Sequence, residues 1–131
     1  MANRFETHGD FSWYELLTTD VAGAKNFYQE VFGWGMEEMP MEEGPYTVLK
    51  AGDRQIGGIM RMPGQVPPGT PSHWEAYVTV DDVDDVARKV QANGGRLLVP
   101  PTNIPKVGRF CTFQDPQGAV LCAITYEKHS D

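Results

Sequence analysis

One pattern occurs twice in this chain at a fixed offset. The run FSWYELLTTD leads into VAGAKNFYQEVFG, and the run HWEAYVTVDD leads into VDDVARKVQANGG. Shifting the chain by 62 residues brings Asp20 onto Asp82, Val21 onto Val83 and Gly33 onto Gly95. A repeat near half the length of a 131-residue chain points to two similar modules.

Each module opens with a strand-like run that meets an aspartate, Asp20 in the first and Asp81 or Asp82 in the second. An aspartate there caps a helix, because its carboxylate accepts an N–H that has no partner inside the helix. Val21, Ala24, Tyr28 and Val31 then fall on one face of the first helix, and Val83, Val86 and Val90 on one face of the second. Gly33 and the Gly94–Gly95 pair end the two helices. Three strand candidates follow each: GWGMEEM, YTVLKAG and RQIGGIMRM, then RLLVP, RFCTFQ and AVLCAITY. Each module therefore reads as βαβββ, the first over about 8–62 and the second over about 73–127. The Pro/Gly-rich PGQVPPGTPS (63–72) is the expected linker, and PPTNIPKVG a second irregular stretch. The fold class expected is α+β, a single domain of paired modules. Its helices would cover the outer face of curved sheets, and the open faces would line a cup.

The final hairpin, FCTFQDPQGAVLCAITY, carries both cysteines. With Pro116 and Gln117 as a two-residue loop, facing pairs sum to 233, which sets Cys111 opposite Cys122 on the cup side. They are expected to be buried thiols acting as small apolar side chains, at a spacing that oxidation could bridge.

The formal charge of −7 argues against a nucleic-acid partner, whose binding depends on cations neutralising phosphates. The apolar runs are too short to span a membrane, and MANRFETHGD has no apolar leader core. A cytoplasmic setting with reduced thiols is expected. No P-loop, dinucleotide fingerprint, GxSxG or CxxC occurs, so cofactor-dependent redox chemistry has no support.

The joints TTDVAGAKNFYQEVFGW and VTVDDVDDVARKVQANGG, with the FQDPQGAVLC hairpin, resemble the vicinal oxygen chelate superfamily. That superfamily contains glyoxalase I, bleomycin-resistance proteins and extradiol dioxygenases. The resemblance covers nearly the whole chain. HWEAYVTVDDVDD and VPPTNIPKVGRF make it most similar to a glyoxalase-like subgroup. It implies a divalent metal held by one ligand from each of four strands, which polarises a substrate bound through adjacent oxygens. Those four places fall on Trp13, Gly58 (within one residue), Glu75 and Cys122. The indole N–H only donates, glycine has no side chain, and a zinc site draws on at least three protein ligands. No metal or other cofactor is therefore expected, with a rearranged set of Glu15, Glu75 and Cys122 as the alternative.

Trp13, Glu15 and Leu17 of the first strand and Glu75, Tyr77 and Thr79 of the fifth would face the cup. Trp13, Glu15, Glu75, Tyr77, Arg109 and Cys122 are the candidate ligand-binding residues, and Trp74 is expected to fill space near the helix. Glu15 and Glu75 are the candidate acid and base, since two inward carboxylates would push one pKa up. Otherwise they sit at a water-filled mouth or pair with Arg109, which could instead anchor an anion. Arg54 and Arg61 are placed at strand ends in solvent, and the tail around His129 is expected to fray. Three function classes follow: a metal-independent binder of an unidentified small molecule, a lyase or isomerase, and an interaction module with a filled cup. A homodimer is expected, because each cup would be completed by a second copy.

Overall fold

The structure, a computed structural model, describes residues 3–41, 45–64 and 66–127. Among these the element order is β1 (Phe11–Thr18), α1 (Val21–Phe32), β2 (Gly35–Met39), β3 (Tyr46–Ala51) and β4 (Arg54–Arg61). It continues with β5 (His73–Thr79), α2 (Val83–Ala92), β6 (Arg96–Ile104), β7 (Gly108–Gln114) and β8 (Val120–Tyr126). The chain is α+β, and βαβββ occurs twice. Its described residues pack as two compact units, one within 13–75 and one made of 3–12 with 76–127. The tail around His129 lies outside the described residues.

The first unit runs in strand order β2-β3-β4-β1, with β1 parallel to β4 and the hairpins antiparallel. Asp20 caps α1, its carboxylate accepting from the Gly23 N–H at 2.9 Å. At the other end Gly33 takes the left-handed conformation (φ 69°) and returns its N–H to the Gln29 carbonyl. Val21, Ala24 and Tyr28 pack on Leu16, Leu49 and Ile59 as expected. Val31 does not. It is 53% exposed, beside exposed Phe27 and Phe32, so the apolar stripe of α1 is only half covered.

In the second unit the order β5-β8-β7-β6 repeats that plan, with β5 parallel to β8. Asp82 caps α2 through the Asp85 N–H at 3.2 Å. Val83 and Ala87 are buried against Val80, Cys111 and Ala123, with Val86 alongside. The 62-residue offset holds at both N-caps but not at the C-caps. Helix α2 ends two residues earlier in the alignment, at Asn93, and Gly94 (φ 90°) makes the left-handed turn.

Two expectations about the strands are corrected. PPTNI is not irregular: β6 continues through it to Ile104, with its register against β7 shifting on either side of Val99. Consecutive backbone nitrogens of a strand point to opposite edges, so one of Pro100 and Pro101 faces outward from this outermost strand. The other falls at the register shift between Val99 and Thr102, where the ladder is interrupted. The second correction is the β7–β8 register. The loop is three residues, not two: the Gly118 N–H donates to the Asp115 carbonyl at 3.0 Å, and the Asp115 N–H to Ala119 at 2.8 Å. Gly118 takes φ 98°, the left-handed residue that follows the turn in such three-residue loops. Facing pairs therefore run Cys111↔Ala123 and Thr112↔Cys122. A one-residue slip moves one strand's side chains to the other face. Cys111 lies on the α2 side among Val80, Val83 and Ala87, whereas Cys122 lies on the face away from α2. The cysteines do not face one another.

Candidate functional site

Strand alternation splits β1 cleanly. Leu16 faces α1, so Trp13, Glu15 and Leu17 face away from it. Gly58 of β4 pairs with both Glu15 and Val48, which puts the α-carbon of Gly58 on that same face. Tyr46, two residues before Val48 on β3, shares it as well.

Tyr46 joins these residues. The Trp13 indole N–H donates to the Tyr46 hydroxyl at 2.8 Å, and that hydroxyl donates to Glu15 Oε2, also at 2.8 Å. The phenol end of the Tyr46 ring lies where a β-carbon on Gly58 would stand, so any side chain at position 58 would displace it. Sequence reading did not single out Tyr46. Its signal was indirect: a glycine on the packed face of a central strand marks the close approach of something bulky.

The divalent metal implied by the resemblance does not fit these residues. At one ligand place Trp13 presents an N–H already directed at Tyr46, and at the next a tyrosine ring fills the space above a glycine. Among the described residues no three of His, Cys, Asp and Glu gather closely enough to hold a metal ion.

Glu75 lies on β5 with its side chain 13% exposed, and its Oε2 is 3.4 Å from His73 Nε2. His73 Nδ1 is 2.8 Å from the Pro71 carbonyl, which can only accept, so Nδ1 carries a proton. Trp74 points to the α1 side, its N–H donating to the Tyr28 hydroxyl at 3.2 Å, with Trp34 edge-on to it. It is on the expected side, but 40% exposed rather than filling a core.

In the other unit, Tyr77 pairs with Cys122 along β5 and β8, and its ring meets Phe110. Both Tyr77 and Cys122 are buried, with Cys122 Sγ 3.2 Å from Thr112 Oγ1. Arg109 is displaced from its expected place. The slip that moved Cys111 carries Arg109 to the α2 side, where it donates twice to Asp84, at 2.9 and 3.0 Å, and once to Asn103. The Arg109 guanidinium holds the Asp84 carboxyl below its ordinary pKa, and Asp84 raises that of Arg109. Burial pushes the Cys111 thiol up.

Comparison with known proteins places these features. The family model described as the Glyoxalase/Bleomycin resistance protein/Dioxygenase superfamily matches residues 10–123. CFP32 of Mycobacterium tuberculosis, named as a glyoxylase, is 44% identical over 117 residues, covering 88% of this chain and 44% of that protein. DnrV of Streptomyces peucetius, named as an anthracycline biosynthesis protein, is 28% identical over 122 residues, covering 84% of this chain and 44% of that one. The chain thus spans less than half the length of these relatives. Methylmalonyl-CoA epimerase from M. tuberculosis superposes with a TM-score of 0.66 at 13% identity, covering 92% of this chain and 89% of that one. At that identity the likeness is one of fold.

Proposed function

Because the chain belongs to the glyoxalase/bleomycin resistance protein/dioxygenase superfamily, we propose that it binds a small molecule without the divalent metal of the family's enzymes. The ligand would lie against the face of β1, β3 and β4 that points away from α1. One observation carries this reading: the Tyr46 phenol occupies the space over Gly58 and joins Trp13 to Glu15. Two of the four ligand places are thereby taken up by an aromatic, hydrogen-bonded group. An aromatic surface with a few directed polar atoms suits a small organic molecule.

Elemental analysis of the purified protein tests the metal-free part. Less than about a tenth of a metal ion per chain is expected, since zinc sites draw on three or four protein ligands. Roughly one ion per chain, lost in Glu75→Gln, would overturn it. A thermal-shift screen of metabolites tests the binding part, because a ligand specific for the native state raises apparent stability. The relative named for anthracycline biosynthesis makes those compounds an early choice for the screen.

A lyase or isomerase reading is favoured by one observation, the contact between His73 and the largely covered Glu75. Under it, Glu75 and Glu15 would share the acid and base roles. Glu75→Gln abolishing turnover, with binding kept, would select it.

We also infer a homodimer in the cytoplasm. Exposed Phe27, Val31 and Phe32 leave an apolar helix face that a second copy would cover. Among the described residues no helix is long and apolar enough to cross a membrane.

A further inference from the structure

The chain from Trp13 through Tyr46 to Glu15 has a direction, and each of its side-chain protons can be placed. Trp13 has one N–H, and it points to the Tyr46 oxygen. Tyr46 has one O–H, and it points to Glu15 Oε2. The indole nitrogen has no further hydrogen to give, and a carboxylate donates nothing. A molecule arriving at these three residues meets acceptor oxygens and aromatic faces. It finds no proton donor among them.

Resting on the reading of this face as the binding site, we infer that its ligand is an organic cation bearing N–H groups, a protonated amine. Ammonium N–H groups form charge-assisted bonds to carboxylate oxygens. Indole and phenol rings attract cations over their faces. An anion or a bare carbonyl would lose its water here and gain no hydrogen bond from this trio. The net charge of −7 acts in the same direction at longer range. Tyr46 sets this polarity, because replacing its ring by a side chain on residue 58 would break the relay of protons toward Glu15.

The test is an NMR titration of the ¹⁵N-labelled protein at neutral pH, read at the Trp13 indole N–H. The probes are benzylammonium, benzyl alcohol and benzoate, which share a ring and differ in charge. Benzylammonium is expected to shift the resonance saturably, at least about tenfold more tightly than benzoate. Glu15→Gln should weaken benzylammonium by about tenfold, the loss of one charge-assisted bond. Should that variant unfold, trimethylbenzylammonium replaces it as the control, having the charge without N–H donors. It should bind the native protein at least roughly threefold more weakly than benzylammonium. Benzoate or benzyl alcohol matching benzylammonium would overturn the amine assignment while leaving the small-molecule reading intact. So would an unchanged affinity in Glu15→Gln, or equal affinity of the two ammonium ions. A titration silent for every probe overturns it as well. One zinc per chain would overturn the metal-free reading separately.

Discussion

The Tyr46 ring takes the space that a β-carbon on Gly58 would need, so residue 58 is glycine for the sake of residue 46. Gly58→Ala must expel the ring, strain the β3–β4 pairing, or both. Overpacking of this kind costs about 1–3 kcal/mol, and losing the Trp13 and Glu15 hydrogen bonds adds to it. Urea unfolding should show Gly58→Ala destabilised by roughly 2–4 kcal/mol. Tyr46→Ala should relieve that penalty, so the double variant is more stable than the sum of the two changes. Additive effects would contradict the pairing.

The same geometry bears on any attempt to rebuild a metal site. Trp13→His with Gly58→Glu supplies two ligand types, but the new side chain at position 58 and the Tyr46 phenol compete for one space. Cobalt(II) titration should give no tetrahedral absorption for that double variant. A tight cobalt site formed with Tyr46 still present would show that the ring is no obstacle.

Cys111 and Cys122 lie on opposite faces of the β7–β8 ladder and are both fully buried, so their side chains point apart. Mild oxidants should leave two titratable thiols per native chain. Ellman's reagent should react with the native protein roughly a thousandfold or more slowly than with the unfolded chain, because access requires opening. The raised Cys111 pKa gives a sign at high pH. Its contribution is intact below the unfolded thiol value of about 8.5 and declines as pH rises beyond it. Cys111→Ser should reduce that alkaline decline. An intramolecular disulfide formed without unfolding would contradict the register.

Asp84 gives the opposite sign. Arg109 lowers its folded pKa, so its contribution is present above the unfolded carboxylate value of about 3.9 and is lost as pH falls through the lower folded value. Melting temperatures of the native protein and Asp84→Asn should differ modestly at neutral pH, since the pair is partly exposed. The difference should shrink in acid. A gap that widens below pH 4 would refute the ion pair as its source.

The exposed face of α1 predicts association. Light scattering at micromolar concentration should return twice the chain mass, and Phe27→Glu with Phe32→Glu should shift it toward the monomer. A monomer mass for the unaltered chain would end the homodimer proposal.

The order of elements was legible in the sequence because its signals are local. A carboxylate reaches its own helix's N–H groups, as Asp20 and Asp82 do, and helical periodicity is written over a dozen residues. The repeat of those caps at 62 residues was enough to set out two βαβββ runs. What the sequence left open were matters of one residue or of one side chain's reach. A loop of three residues rather than two at Pro116 separated Cys111 from Cys122 and turned Arg109 toward Asp84. Val31 and Val21 carry the same pattern, yet only Val21 finds a sheet to cover it. Tyr46 and Gly58 stand twelve residues apart, and nothing local tells a glycine which ring will lie over it. That was decided by the pairing of β3 with β4 and β4 with β1, which brings Tyr46, Gly58 and Glu15 onto one face.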